Sequence, residues 1–501
     1  MSLSPQTTIT DLPVEMLAEI FLYLAATPDS LQCHHSPMAW LAVTHVCAHW
    51  RAVALSLPAM WHTIPCDHPE LTKLLLARSK NSTSPLTLIH PRWARRSTPE
   101  NMDTLLLSLP RVHELAVAAP PRRLTPLLTS FVSAHIPALT SLAIHCSDPD
   151  LSPSSSPSTY SPRLTTSPLS PLRSLTLSGF LCPIAPAAMD KLLAPLTRLP
   201  RLESLTLAWT HPAHPIVFVP PHLPARDTLV RLPHLRTLNI SGLATACALC
   251  LRRVDAPPAA ALCVRAVLRD ECEAGGAALR ILREALRAPV RARGGVRAVA
   301  LEVRPCGFEL RAEPGAGAGE GDAGPVVVEL DTRAGRVKEE VVQEMALDVL
   351  CMLRREDVRT LSVCTRQAVL PRGWWERLGG ALPGVCTVEV RGSLTARGVM
   401  EMFRLGGRVD SGGSSRSKSY CIPAQQFPVL RHLRLAGASL SSLLTQDPPE
   451  RLEEALVEGC EGRKLAGAGL ESMLLYHCEG RAKLVEMLMG VCGLVEVMDS
   501  A

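Results

Sequence analysis

The pattern that most constrains this chain is an apolar triplet at i, i+3 and i+5 that returns at intervals of about 30 residues. It stands at Val112, Leu115 and Val117, at Leu139, Leu142 and Ile144, at Leu172, Leu175 and Leu177, at Leu202, Leu205 and Leu207, and at Leu235, Leu238 and Ile240. A proline lies just upstream of each triplet: Pro110, Pro137, Pro171, Pro200 and Pro233. Residues two apart on a strand point to the same side. The intervening segments, such as Met189–Leu199, are long enough for a helix that returns the chain to the next parallel strand. A unit this small buries its apolar face only against its neighbours. The pattern therefore predicts an α/β chain in which parallel strands alternate with helices along an irregular solenoid. The alternative is an ordinary α/β domain with parallel strands.

The triplet continues into the second half, at Val296, Val299 and Leu301, at Val358, Leu361 and Val363, at Val385, Val388 and Val390, at Leu430, Leu433 and Leu435, and at Leu470, Met473 and Leu475. The wide gap between Val299 and Leu361 predicts one further unit around 325–330. Helical spacing is expected over 69–79, 277–287, 337–353, 449–458 and 482–491, and a strand over 85–89. Near residue 245 the composition shifts from Pro, Ser, Thr and His to Ala, Gly, Arg and Glu. Residues 147–171 are rich in Ser and Pro and are expected to be a disordered loop offering Ser-Pro steps to proline-directed kinases. Residues 405–419 read as a second flexible loop, and the glycine run over 313–324 as a surface turn. The organisation expected is a disordered 1–9, a helical domain over 10–64, a first repeat region over 65–245 and a second over 246–501.

Within 10–64, Leu17, Ile20, Phe21 and Leu24 fall at i, i+3, i+4 and i+7, an apolar stripe along a helix. Asp11 is expected to cap it, with Leu12 and Pro13 opening the first turn, where a missing N–H costs nothing, and Glu15 near the positive end of the helix dipole. Val43, Val46, Cys47, Trp50, Ala54 and Leu57 hold a helical period over four turns, Pro58 stops it, and Trp61 follows as a large apolar anchor. About 55 residues make too small a core to be stable alone, so this segment needs a partner or the rest of the chain.

Leu12-Pro13, the run Glu15-x-Leu17-x-x-Ile20-Phe21, and Val46-Cys47-x-x-Trp50-Arg51, closed by Leu57 and Trp61, together resemble an F-box over residues 10–64. The Cys-x-x-Trp-Arg version is similar to the F-box-like proteins abundant in mushroom-forming (basidiomycete) fungi. The Thr27–Met38 insert between the helices is longer than a minimal connection. The resemblance implies docking on the Skp-type adaptor of an SCF-type cullin–RING ubiquitin ligase through Leu12, Pro13, Leu17, Ile20, Phe21, Val46, Cys47 and Trp50, some of which must instead hold the small core. The triplets resemble the irregular leucine-rich repeats that often follow F-boxes. They depart from the tidy form, since Thr210 and Leu243 stand where Asn or Cys is expected. By resemblance the chain is a substrate-recognition adaptor without catalysis or cofactor, holding a target protein near the conjugating enzyme so that transfer becomes effectively intramolecular. The alternative is an interaction scaffold outside any ligase.

Composition narrows the rest. A net charge of +5 over 501 residues is too weak to argue for nucleic acid. The 17 cysteines are scattered, and MSLSPQTTIT lacks the charged and apolar regions of a signal peptide. Reduced thiols and a cytoplasmic or nuclear location are therefore expected. No 18-residue apolar run is present, so no membrane span is expected. Lysine is confined to Lys73, Lys80, Lys191, Lys338, Lys418, Lys464 and Lys483, which would leave few sites for self-modification. Cys247-x-x-Cys250 lacks a second pair at zinc spacing. Cys33, His34, His35, His45, Cys47 and His49 lie close in sequence, but Cys47 belongs to the apolar stripe while His45 and His49 fall to other faces. Gly315-x-Gly317-x-Gly319 carries no Gly-Lys-Ser/Thr. Arg280, Arg283, Arg287, Arg291, Arg293 and Arg297 read as a solvated helix face or as a patch for an acidic partner, and Arg92, Arg95 and Arg96 as a weak import signal. No metal, nucleotide or hydrolase constellation stands out.

Overall fold

The computed structural model describes residues 12–26, 39–65, 69–80, 86–90, 109–119, 138–146, 171–181, 186–210, 229–268, 274–292, 295–314, 324–332, 337–353, 357–365, 370–392, 427–437, 443–444, 450–478 and 481–498. The chain is mixed α/β, with a helical region at its N-terminus and mostly parallel sheet thereafter. It divides into two units, residues 1–181 with 191–210, and residues 182–190 with 211–501. The disordered N-terminus expected over 1–9, the Asp11 cap, the Thr27–Met38 insert, the 405–419 loop and nearly all of the Ser/Pro-rich loop lie outside the described residues.

The first unit begins with α1 (Val14–Ala26), a 3-10 helix (Ala39–His45), α2 (Ala48–Ser56) and a 3-10 turn (Pro58–Trp61). Then follow β1 (Thr63–Pro65), α3 (Pro69–Arg78), β2 (Leu86–His90), β3 (Val112–Ala119), β4 (Ser141–Cys146), β5 (Ser174–Leu181) and β6 (Ser204–Thr210); α4 (Pro186–Leu193) comes between the last two in sequence, its residues up to Asp190 counted with the second unit. Strands β1 to β6 lie side by side in chain order, every pair parallel. Their register places Leu88, Leu115, Leu142, Leu175 and Leu205 in one buried row, and Val117, Ile144, Leu177 and Leu207 in the next.

In β4, β5 and β6 the first residue of the triplet sits in the turn before the strand. In a continuous strand i and i+3 would face opposite sides. Leu139, Leu172 and Leu202 are buried with their partners because the chain turns between them. Main-chain bonds then link successive turns: Arg173 N donates to Thr140 O, and Glu203 N to Arg173 O. One irregularity is built into β5, where the register shifts between Ser178 and Phe180. Gly179 has φ +77°, and a Cβ there would run into the Cys146 carbonyl.

The second unit carries β8 (Thr237–Leu243), α5 (Ala244–Arg253), β10 (Ala261–Val267), α6 (Ala274–Arg291), β11 (Val296–Arg304), β12 (Gly307–Pro314), β13 (Val326–Asp331) and α7 (Glu339–Met352). It continues through β14 (Thr360–Thr365), α8 (Arg372–Ala381), β15 (Thr387–Arg391), β16 (His432–Ala436), α9 (Leu452–Leu465), β19 (Ser472–Tyr476), α10 (Arg481–Leu488) and β20 (Leu494–Met498). Two small pairs accompany these, β7 (Val230–Arg231) with β9 (Val254–Asp255), and β17 (Leu443–Leu444) with β18 (Glu450–Arg451). From β11 onward the triplets again align in buried rows: Val299, Leu361, Val388, Leu433 and Met473, and beside them Leu301, Val363, Val390, Leu435 and Leu475.

This unit differs from the expectation at β10, β12, β20, α5 and α8, none of which the pattern predicts, and in the position of β13. Strand β10 escapes the triplet pattern because its apolar alternation, Leu262-x-Val264-x-Ala266, lacks a large residue at the first triplet position. The further unit expected at 325–330 is β13, but it does not lie between β11 and β14. The sheet order is β8-β10-β13-β12-β11-β14-β15-β16-β19-β20, with β11–β12 and β12–β13 antiparallel. Pro305 and Cys306 close a two-residue hairpin after β11, where Arg304 pairs with Gly307, so the chain doubles back and fills the gap in reverse order. Gly307 permits this, since a Cβ there would strike the Leu330 carbonyl. Helices α5, α6, α7 and α8 pack successively. The last contacts include Arg283 to Asp348 at 2.8 Å and the Trp374 indole donating to Gln343 O at 2.9 Å.

Candidate functional site

The helical N-terminus concentrates both the buried and the exposed apolar residues of interest. The Pro13 carbonyl accepts the Leu17 N–H at 3.1 Å, closing the first turn of α1. Leu17 and Phe21, one turn apart, are fully buried. Ile20 and Leu24, expected on the same stripe, are exposed, and with them Met16 and Tyr23. Helix α1 thus carries two adjacent apolar stripes, one turned inward and one to solvent at i, i+4, i+7 and i+8.

The second helix differs from the single four-turn helix expected. A 3-10 segment ends at His45, Val46 occupies the turn with 58% exposure, and α2 starts afresh at Ala48. The break has a local cause. Cys47 is extended (φ −154°), and its thiol accepts the Trp50 N–H at 3.4 Å, capping the new helix. The Arg51 Nε donates back to Thr44 O at 2.8 Å. The helix ends at Ser56, and Pro58 opens the following turn.

Aromatic contacts hold these pieces together. Phe21 and Trp50 lie 5.2 Å apart between ring centroids, and Trp40 meets Trp61 edge-on at 5.3 Å. Trp61 is buried, donates its indole N–H to Ala54 O at 3.1 Å, and has the Arg78 guanidinium of α3 4.5 Å over its ring. Two residues beyond Trp61 the chain enters β1, so the helices run directly into the sheet of the first unit.

The eight residues expected to dock an adaptor therefore separate. Leu17 and Phe21 are core, with no surface of either reaching solvent, and so are among those of the eight that hold the small core. Cys47 is half-buried and engaged as a cap. Trp50 is half-buried against Phe21, its indole nitrogen buried without a hydrogen-bond partner among the described residues. Leu12 is half-buried, while Pro13, Ile20 and Val46 are exposed. Met16, Tyr23 and Leu24 join these three on the outside. The spacing Met16, Ile20, Tyr23 was the readable signal for them.

Other candidates place differently. Cys247 and Cys250 are buried on α5, and burial pushes the Cys250 thiol up to about 12. Among the described residues no group of three or more His, Cys, Asp and Glu side chains is arranged to hold a metal ion. Cys33, His34, His35, the glycines at 315–319 and Arg92, Arg95 and Arg96 lie outside the described residues. Arg280, Arg287 and Arg291 are exposed on α6, while Arg283 pairs with Asp348. No described helix is long and apolar enough to cross a membrane.

No curated protein matches the chain. The family whose model matches is described as F-box-like, and the match spans residues 9–66, so this part of the chain is an F-box-like domain.

Proposed function

We propose that the protein is a substrate-recognition adaptor of an SCF-type cullin–RING ubiquitin ligase, without catalysis of its own. Its F-box-like domain docks on a Skp-type adaptor, and the repeats behind it form an irregular leucine-rich-repeat-like solenoid that holds a target protein. The observation that carries this is the solvent-facing stripe Met16, Ile20, Tyr23 and Leu24 on α1, with Val46 also exposed, within the segment matched as F-box-like. A monomer gains nothing by exposing such a row, and contiguous exposed apolar surface marks an interaction site. A specific interface of this kind buries about 1,600 Å² in all, with a few apolar anchors carrying most of its energy. For the repeats, the support is the register of the triplets: equivalent residues of successive units stand side by side in buried rows. Each unit thereby completes its neighbour's core, as repeat architectures require.

The test is co-purification of the full chain with a Skp-type adaptor and cullin, comparing wild type with the double variant Ile20→Ala, Tyr23→Ala. Loss of both partners with the fold intact is expected. Undiminished recovery of the adaptor from the double variant sinks the docking surface. Recovery of the adaptor without cullin favours the second reading, a non-ligase scaffold.

A further inference from the structure

The second unit ends on a strand whose outer edge is open. Among the described residues β20 pairs with β19 alone, at the end of the sheet order. Leu494 N donates to Glu471 O at 3.0 Å, and Met498 O accepts from His477 N at 3.5 Å, so both residues turn their main-chain groups toward β19. These groups alternate sides along a strand, so those of Val495 and Val497 face the free edge, as on any edge strand. The side chains match this. By register Val495 stands beside Met473 and Val497 beside Leu475, which extends the two buried rows of the sheet by one strand. Cover is lost at that step: Met473 and Leu475 are fully buried, while Val497 is 39% exposed. Leu494 and Met498, on the other face of the strand, are exposed as well. Leu494–Met498 holds no lysine, proline or bulge of the kind that blunts an edge, and Glu496 is its single charge.

We propose that β20 is a self-association edge that pairs antiparallel with β20 of a second copy of this chain across a two-fold axis. The open N–H and C=O groups call for a strand, and the apolar rows select which one. A two-fold axis perpendicular to the sheet brings the same two valines to the same side of the joined sheet, so each copy continues the other's rows. The charge fixes the register. Centring the axis on Glu496 sets two like charges directly opposite, which is destabilising. Centring it on Val497, the more exposed of the two valines, sets Val497 against its own counterpart and Glu496 against Met498. The outward N–H and C=O of Val497 then bond reciprocally with those of its counterpart. Association closes at two copies, because β1, the strand at the other end, spans three residues and ends in Pro65, a poor template for β20. The proposal uses no residue of the F-box-like domain and stands or falls apart from the adaptor reading.

The experiment is sedimentation velocity of the full chain over a concentration series, with hydrogen exchange read over residues 494–498. The expected result is a monomer–dimer equilibrium in which exchange there slows as dimer accumulates. Val497→Pro removes the outward N–H without touching the bonds to β19, and should weaken the dimer about tenfold, since symmetry deletes two hydrogen bonds. The exposed Met498 tests the register without disturbing the core. Met498→Lys, set against Glu496 of the other copy, should tighten the dimer, and Met498→Glu should weaken it. A chain that stays monomeric throughout the series overturns the proposal. So does a dimer that none of the three variants changes, or one lost instead in the Ile20→Ala, Tyr23→Ala double variant. Slowed exchange over 494–498 in a chain that sediments as a monomer overturns it as well, since another segment then occupies the edge.

Discussion

Phe21 and Trp50 meet at a ring-centroid distance of 5.2 Å and an interplanar angle of 59°, an aromatic contact between α1 and α2. Offset or tilted aromatic pairs of this kind contribute about 0.5–1.5 kcal/mol beyond the burial of their area. The contact also determines what α1 can offer a partner. By drawing Phe21 inward it turns Ile20, Tyr23 and Leu24 outward.

Phe21→Ala should therefore act on stability and Tyr23→Ala on binding. Truncating a fully buried phenylalanine costs about 3–5 kcal/mol. Removing the Tyr23 ring, 72% exposed, should change stability by no more than about 0.5 kcal/mol. Urea denaturation followed by tryptophan fluorescence checks both, and equal effects of the two substitutions would contradict the division of α1 into two faces.

Arg463 on α9 is buried, and burial lowers its pKa. Its guanidinium donates to three main-chain carbonyls, those of Ala468, Phe427 and Leu430. Phe427 itself has φ +48°, so the arginine anchors an unusual turn at the entry to β16. Arg463→Leu removes these donors and leaves the carbonyls buried, at a cost of about 1–3 kcal/mol. Hydrogen exchange should rise over residues 427–437, and unchanged protection there would refute the anchoring role.

The Cys250 thiol, pushed up to about 12 by burial, makes stability depend on alkaline pH. An acid whose folded pKa lies above its unfolded value contributes stability that is fully present below the unfolded pKa, here near 9.0. That contribution is lost as pH rises toward about 12. The slope attributable to Cys250 is about 1.4 kcal/mol per pH unit within that window. Denaturant titrations of wild type and Cys250→Ala at pH 8 and in steps above pH 9 read it as a difference, because other groups titrate equally in both proteins. Parallel curves would remove the effect.

Gly179→Ala should be disproportionately harmful for a single methyl. Its φ of +77° disfavours any side chain, and the added Cβ meets the Cys146 carbonyl of the adjacent strand. Each source of strain costs of order 1–3 kcal/mol. Gly295→Ala, with the same φ but no atom within 4 Å of its Cβ, isolates the backbone part. Equal melting temperatures for the two variants would show that the close approach carries no cost.

Much of this architecture is legible without coordinates. The triplets mark β3 to β6, β8, β11, β14, β15, β16 and β19, because two-residue alternation next to a buried apolar residue is local information; they miss β10, β12, β20 and the short pairs β7–β9 and β17–β18, and β13 is expected from the gap alone. The helix over 69–79 is readable in the same way and is observed as Pro69–Arg78. The reversed segment β11-β12-β13 was not readable as such. Phe308-x-Leu310-x-Ala312 does alternate, but alternation does not say which neighbour a strand pairs with. That choice depended on the Pro305-Cys306 hairpin and on Gly307 meeting the Leu330 carbonyl.

The candidate site divides along the same line. From the sequence alone come the periodicity of α1, the apolar anchors through Trp61 and the match of residues 9–66 to an F-box-like domain. Only the tertiary structure decided that Leu17 and Phe21 face the core while Ile20 and Tyr23 face solvent, and that Cys47 caps a new helix rather than continuing the old one. The physical reason is that hydrophobic periodicity registers that a residue is apolar, whereas its cover is supplied by residues distant in the chain: Trp50 for Phe21, and no described side chain sufficient to bury Tyr23.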